Sequence, residues 1–264
     1  MTKNKASNNS SLFSIPVLVA ALGYFVDIYD LLLFLIVRVQ SLKSLGLSED
    51  MISNDGMEII SHQMWGLMIG GVLWGMLGDK KGRLSVLFGS ILLYSLANIA
   101  NGFVNTIEQY SVCRFIAGIG LAGELGAGIT LVSELIPKEK RGIATSLVAG
   151  IGLSGAVLAY FIAQHFDWRT CYFIGGGLGL MLLLLRISVF ESGMFKDIQH
   201  AQVSKGNFLM FFTDLKRLKK YLLSILIGLP TWYVIGILVG FSDKFGMQFG
   251  IEEPINPGKA VMFA

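Results

Sequence analysis

Two carboxylates stand close together in an apolar stretch, GYFVDIYDLLLF (residues 23–34), which is part of a run long enough to cross a bilayer. Asp27 and Asp30 are three residues apart, so they share one face of a helix. A charge at the bilayer centre costs at least about 2.5–3.5 kcal/mol, so this face must be turned toward protein or water. Desolvation and mutual repulsion favour the protonated form of the more buried group. Such a pair is suited to taking up and releasing a proton.

The composition is typical of a polytopic membrane protein. Apolar residues make up 53% of the chain and charged residues 15%, whereas soluble domains carry roughly 25% charged residues. The 32 glycines fit packed membrane helices, in which small residues let backbones approach closely. The net charge of +3 is too small to indicate nucleic acid as a partner. Because no metal-ligand, nucleophile or phosphate-loop pattern occurs, we expect neither an enzyme nor a metal or cofactor.

Apolar runs of about 20 residues predict seven membrane helices. The predicted spans are 14–37, 57–78, 84–104, 106–136, 143–164, 171–190 and 221–241, and an eighth begins at GKAVMFA. The predicted fold is all-α, with a tail (1–13), a six-helix bundle (14–190), a loop (191–220) and the start of a second bundle (221–264). The stretch NFLMFFTDLKRLKK in the loop fits either an amphipathic helix on the inner leaflet or an ordinary basic loop.

The lysines and arginines predict the orientation, because cytoplasmic loops carry an excess of them. With the N-terminus in the cytoplasm, most basic residues fall inside, including Arg186 at the end of the sixth span. The 191–220 loop is then also cytoplasmic. The connection between the first and second spans becomes an acidic outer loop, which contains Glu49, Asp50, Asp55 and Glu58.

The connection between the second and third spans has the most specific pattern in the chain. GMLGDKKGRL (residues 75–84) resembles the G-x-L-x-D-[RK]-x-G-R-[RK] loop of the major facilitator superfamily, with Leu84 in place of a basic residue. We expect Gly75 to permit close helix approach, Gly82 to supply the turn and Asp79 to offer its charge to a neighbouring helix. The family uses this loop, which includes Arg83, as a cytoplasmic latch.

Three further stretches resemble the same superfamily. RFIAGIGLAGELGAG (114–128) is similar to R-x-x-x-G-x-G-x-A, SELIPKEKRG (133–142) to E-x-x-P-x-x-x-R-G, and RISVFESGMF (186–195) to R…E-[ST]-P-x-F, which contains Glu191. The last two patterns are those of the sugar-porter and metabolite:proton symporter branches. The resemblance implies that Glu134 and Arg141 form an inner charge network with Asp79 and Arg83.

The metabolite:proton symporters are the nearest branch. GYFVDIYDL resembles their G-N-x-x-E-W-Y-D-F, and AGELGAG resembles their G-G-E-[WY]-G-G. The resemblance implies the first half, and a little more, of a twelve-helix secondary transporter in a bacterial inner membrane. Spans 1–3 and 4–6 would be inverted repeats, with spans 1 and 4 lining the cavity. Its partners would be protons, a small organic solute, lipid and the missing C-terminal half.

The site hypothesis combines spans 1 and 4 at comparable depth. Asp30 is assigned to pair with Arg114, while Asp27, with Glu124, carries the proton or senses the substrate. The alternative is a fixed network in which all four charges hold the two helices together. Arg114 is also a candidate anchor for a substrate carboxylate. Tyr24 and Tyr29 are candidate cavity residues, and each fits an ordinary packing role as well.

Proton symport of an organic anion or zwitterion is the favoured function. The fifth span lacks the glycine–proline element of antiporters, which favours symport or facilitation over exchange. A facilitator of the sugar-porter kind is the nearest rival. A truncated, non-transporting membrane protein that acts as a scaffold or half-transporter is the second.

Overall fold

The computed structural model of the chain describes residues 15–81, 83–137, 139–191, 210–251 and 255–264. These residues form a series of helices joined by short connections. The first six are α1 Ile15–Ser44, α2 Glu49–Lys81, α3 Arg83–Asn101, α4 Ile107–Leu135, α5 Arg141–His165 and α6 Trp168–Glu191. They are followed by α7 Met210–Thr213, α8 Leu215–Tyr233, α9 Ser242–Gln248 and α10 Pro257–Phe263. The predicted tail and most of the predicted loop lie outside the described residues.

The all-α architecture is confirmed. Helices α1–α6 correspond to the six spans of the predicted bundle, α8 to the seventh and α10 to the start of the eighth. By length and apolar composition alone, four helical stretches of the described chain can cross a membrane. They are Val17–Ser44, Arg141–His165, Trp168–Ile187 and Leu215–Val239, and Ser85–Asn101 is a shorter apolar helix.

The stretch predicted as an acidic outer loop is helical from Glu49 onward, and its location on the outer side stays a prediction. Helix α2 begins at Glu49, so Asp55 and Glu58 lie within it, and the connection from α1 is only residues 45–48. Gly46 makes the tight turn with a φ of +91°, a conformation that side chains other than glycine rarely adopt.

The packing of the six helices has an internal two-fold pattern. Helix α1 packs on α5 and α6, and correspondingly α4 packs on α2 and α3. Helices α1 and α4 also pack on each other, as do α3 and α6. Exchanging α1–α3 with α4–α6 therefore converts the α1·α5 and α1·α6 pairs into α4·α2 and α4·α3, and it maps the α1·α4 and α3·α6 pairs onto themselves. This is the relation expected of two repeats that share one core.

Glycines in α2 allow its backbone to lie directly against α4. A Cβ at Gly66 would collide with the Phe115 carbonyl group, and one at Gly70 would collide with the Ile119 backbone. A close helix approach at Gly75 stays a prediction, because a Cβ there would meet no described atom within 4 Å. Gly66 and Gly70 are one helical turn apart and share a face, whereas Gly75 lies on another side of α2.

The segment after the bundle has two different environments. No residue of α8 is buried, and Pro230 lies within the helix near its C-terminal end. A π-helical segment, Val234–Val239, then continues the chain toward α9. In contrast, α10 packs on both α1 and α5. The second half-bundle therefore contacts the six helices mainly through residues that follow α8.

Candidate functional site

Asp30 and Arg114 form a fully buried ion pair between α1 and α4. Arg114 Nη1 lies 3.0 Å from Asp30 Oδ1, and both side chains are 0% exposed. The same nitrogen donates to Asn98 Oδ1 on α3 at 3.0 Å, while Nη2 donates to the Asp30 carbonyl group at 3.3 Å. The pairing that the sequence hypothesis assigned to Asp30 is thus observed. Asn98 makes it a three-helix junction.

Glu124 forms a second buried pair, with Arg186 on α6. Arg186 donates to both carboxylate oxygens, with Nη1 2.6 Å from Oε2 and Nη2 in close contact with Oε1. Each side chain is 2% exposed. Arg186 is therefore part of the interior, and counting it among the cytoplasmic basic residues was wrong. Gly23 makes room for this pair, because a Cβ there would collide with the Arg186 guanidinium and the Glu124 carboxylate.

Asp27 lies between the two ion pairs and belongs to neither. It is 4% exposed, and neither carboxylate oxygen has a hydrogen-bond partner in the described part of the chain. Its charged neighbours are Glu124 on α4, Arg186 on α6 and Asp30 on its own helix. Tyr94 of α3 is also close, and its hydroxyl group likewise has no hydrogen-bond partner among the described residues. Buried polar groups are normally hydrogen-bonded, so this carboxylate is exceptional.

The charges of this cluster do not balance when every group is ionised. Three carboxylates, Asp27, Asp30 and Glu124, face two guanidinium groups, Arg114 and Arg186. Arginine stays protonated in proteins, whereas a carboxyl group can become neutral. An uncompensated charge in a dry interior is very costly and is usually avoided by a change of protonation. One bound proton neutralises the cluster, and Asp27 is the carboxylate that no guanidinium binds.

The four predicted charges therefore do not form one fixed network. Two separate pairs connect α4 to its neighbours, Asp30–Arg114 toward α1 and Glu124–Arg186 toward α6. The alternative in which all four charges hold α1 and α4 together is wrong for the described residues, because Asp27 is not ion-paired. The arrangement leaves one titratable group whose charge state is not dictated by a direct partner.

The two candidate tyrosines differ in their surroundings. The Tyr29 hydroxyl group donates to the Cys171 carbonyl group at 2.8 Å, which ties α1 to α6, and its side chain is fully buried. Tyr24 is half-buried beside Asp27 and packs so tightly on Gly152 of α5 that a Cβ there would collide with its ring. Tyr29 thus has a packing role in this structure, whereas Tyr24 borders the charge cluster.

The predicted cytoplasmic motif is only partly described. Asp79 is exposed near the end of α2, and Arg141 Nε donates to the Ile136 carbonyl group at 2.9 Å, across the α4–α5 connection. Gly82 and the side chains of Arg83, Glu134 and Glu191 lie outside the described part of the chain. The charge network among these residues therefore stays a prediction.

Packed apolar helices around a buried charge cluster are typical of a polytopic membrane protein. The Major Facilitator Superfamily model matches residues 18–263. The chain therefore belongs to this superfamily, as its motifs indicated.

Similar proteins agree with this assignment. A putative metabolite transport protein of Haemophilus influenzae is 31% identical over 88% of this chain and 56% of its own length. The niacin transporter NiaP of Acinetobacter baylyi is 39% identical over 45% of this chain and 28% of its own length. The chain thus spans about half of the first relative and less of the second. The fold is similar to the proton:xylose symporter XylE, with a TM-score of 0.60, 22% identity and coverage of 81% of this chain and 50% of that one.

Proposed function

We propose that the chain is part of a proton-coupled secondary transporter for small organic anions. The observation that carries the proposal is Asp27, a buried carboxylate without a hydrogen-bond partner between two ion pairs. A proton on Asp27 neutralises the cluster, and its loss leaves one net negative charge there. Because a buried net charge is unfavourable, the conformations that admit and expel water must differ in their affinity for this proton. That difference is what couples a proton gradient to movement of a solute.

The class of solute follows from two arguments. A relative is named for niacin, a small carboxylic acid, and a monovalent organic anion that travels with one proton adds no net charge to the interior. Arg114 already donates to Asp30 and to Asn98, which favours a positioning role for this guanidinium over direct capture of the solute. In this proposal the protein lies in a bacterial inner membrane with its N-terminus in the cytoplasm.

A facilitator of the sugar-porter kind is the main alternative within the superfamily. It predicts uptake that is indifferent to the pH gradient, and it requires no exchangeable proton at Asp27. A non-transporting scaffold or half-transporter predicts no solute movement by this chain without a second half-bundle. The two tests below distinguish the facilitator and the non-transporting scaffold from proton symport.

The first test measures the proton itself and requires no solute. Infrared spectra of the purified chain in lipid nanodiscs should contain the carbonyl band of a buried protonated carboxylic acid, and the band should be lost in Asp27→Asn. Asp167→Asn is the matched control, since Asp167 is an exposed carboxylate in the α5–α6 connection and should leave the band unchanged. A band of unchanged intensity in Asp27→Asn would show that the proton lies on another carboxyl group and would refute the role of Asp27 as proton carrier.

The second test measures coupling in proteoliposomes that contain this protein, with niacin as the first solute. Wild type should accumulate solute when an inward proton gradient is imposed. Asp27→Asn should lose that accumulation and retain exchange of internal for external solute, because exchange needs no net proton movement. Equal accumulation with and without the gradient would favour the facilitator, and an absence of all solute movement would favour the scaffold.

A further inference from the structure

A third ion pair lies away from the charge cluster, at the end of the bundle where α1 ends and α2 begins. Arg38 of α1 donates through Nη2 to both carboxylate oxygens of Asp243 in α9, at 2.8 and 3.0 Å. Its guanidinium also lies over the Phe241 ring, 4.0 Å from the ring centroid. Arg38, Phe241 and Asp243 are called the clasp below. The clasp joins the six-helix bundle to the segment that follows α8.

Burial makes this contact different from a surface ion pair. The Arg38 side chain is fully buried, and that of Asp243 is 12% exposed. Nε and Nη1 of Arg38 have no hydrogen-bond partner in the described residues, so its charge depends on Asp243 and on the Phe241 ring. Gly56 of α2 leaves room for the stem of Arg38, since a Cβ there would lie 2.8 Å from its Cδ. A buried guanidinium that loses its carboxylate is strongly destabilised, which gives the clasp two distinct states, closed or broken.

Apolar contacts continue the closure around the clasp. A Cβ at Gly240 would lie 2.9 Å from Leu35 Cδ2, and one at Gly258 would lie 3.0 Å from Ile36 Cγ2. Both α1 residues are within one turn of Arg38. The chain after α8 is therefore pressed against the same end of α1 by both apolar and charged side chains.

Helix α8 is not packed on the six helices in the described part of the chain, and none of its residues is buried. The basic residues of its first turns place this end in the cytoplasm by the positive-inside rule; they are Lys216, Arg217, Lys219 and Lys220. With that orientation, the contacts between this segment and the bundle lie at the non-cytoplasmic end.

We propose that the clasp seals the non-cytoplasmic end of the transport cavity in this conformation, and that it must break for that end to open. The proposal rests on the alternating access of the proposed function, and it assigns Arg38, Phe241 and Asp243 a positioning role that no solute contact requires. Arg38 lies eight residues after Asp30 on one helix, a separation of about 12 Å. A shift of α1 at the charge cluster is therefore transmitted directly to the clasp.

The test measures access of water to the sealed interface. The variant used for this test carries Cys113→Ala and Cys171→Ala, which remove the native thiols. It also carries Leu35→Cys as the reporter, because Leu35 is only 6% exposed and a thiol there should react slowly while the interface is closed. Membrane vesicles of known orientation are treated with a membrane-impermeant maleimide. Asp243→Asn should raise the labelling rate from the non-cytoplasmic side by about tenfold or more, equivalent to at least about 1.4 kcal/mol. Asp243→Glu, which keeps the charge, should remain closer to wild type.

Two controls separate opening from loss of structure. Ala117→Cys reports on the core of α4, where the side chain is fully buried, and its labelling should stay low in every variant. Asp214→Asn removes an exposed ion pair with Arg217 and should leave the labelling of Leu35→Cys unchanged.

Three results would overturn the proposal. They are an unchanged rate in Asp243→Asn, an increase seen only from the cytoplasmic side, and labelling of Ala117→Cys in the same variant, which would make Asp243 a folding residue. None of these measurements uses a proton gradient or a solute. A failure of pH-driven uptake with normal clasp behaviour would therefore refute proton coupling, whereas unchanged labelling in Asp243→Asn would refute the clasp alone.

Discussion

Removal of the Arg186 charge should destabilise the bundle far more than removal of a surface charge. Arg186→Gln leaves Glu124 buried without its guanidinium partner, next to Asp27. Two unit charges about 4 Å apart attract by about 4 kcal/mol at an effective dielectric constant near 20. Breaking a buried pair by deleting one partner typically costs about 3–5 kcal/mol. For a chain of this size that loss lowers the melting temperature by roughly 6–20 °C.

A double-mutant cycle measures the interaction itself. Glu124→Gln should also be destabilising, because Arg186 cannot become neutral. The double variant should be more stable than the sum of the two single effects predicts, by about 2–4 kcal/mol, since neither charge is left unpaired. The assay is thermal unfolding of the purified chain in nanodiscs, followed by circular dichroism.

The exposed pair Arg217–Asp214 provides the matched control. Its side chains are 50% and 47% exposed with an Nε–Oδ2 distance of 3.5 Å, so Arg217→Gln should cost no more than about 1 kcal/mol. Effects of Arg186→Gln as small as those of Arg217→Gln would refute the assignment of a buried ion pair. Additive effects of the two single variants would do the same, because they would show that the two side chains do not interact.

Three further predictions concern local structure. The pKa of Asp167 is held below its usual value chiefly by the hydrogen bond from the Thr170 hydroxyl group. The stabilising effect of this carboxylate is therefore present above about pH 4 and is lost as the pH falls through the lowered pKa. In thermal unfolding, the difference in stability between wild type and Asp167→Asn should shrink on acidification, and a difference independent of pH would contradict this. Gly70→Val should separate α2 from Ile119 and reduce melting temperature more than Gly75→Val, whose added side chain meets open space, and equal effects would contradict the packing. Tyr29→Phe should cost about 1–3 kcal/mol in unfolding free energy, because a buried carbonyl group loses its donor, and a neutral substitution would contradict this hydrogen bond.

The helical architecture and one ion pair were predictable for simple reasons. Long apolar runs specify helices that must pack together, and the fixed rise per residue places side chains of neighbouring helices at comparable depth. That arithmetic was enough to pair Asp30 with Arg114, and the structure shows the contact at 3.0 Å. The proton-carrying role of Asp27 follows from its type and position, and it stays a prediction that the infrared test addresses.

The partner of Glu124 was not predictable by the same reasoning. Arg186 is four residues before the predicted end of its span, so a count of basic residues places it with the cytoplasmic loops. A long side chain near a helix end can reach either water or the core, and only the position of α4 decides between them. A signal was present, because Arg186 follows the uninterrupted apolar run MLLLL and precedes further apolar residues.

Two other features also depended on tertiary structure. Hydropathy could not detect that α2 begins eight residues before the predicted span, because that part of the helix is polar. The abundance of glycine predicted close packing, and it could not show that Gly66 and Gly70 are the residues that face α4. Sequence periodicity identifies faces of a helix, but the neighbouring helix determines which face is used.

The π-helical segment Val234–Val239 has a consequence for the evolution of this chain. Its wider turn, with the Gly240 amide donating to the Ile235 carbonyl group at 3.1 Å, accommodates one residue more than an α-helical turn would. Because the wider turn takes up the extra residue locally, the residues after it keep their direction, and Phe241 and Asp243 stay turned toward Arg38. Deleting one residue from this turn would restore regular winding, whereas the same deletion in the α-helical part of α8 would rotate the residues after it by roughly 100°. A change of chain length is therefore tolerated in the π-helical segment, while in the regular helix before it the same change would separate Asp243 from Arg38.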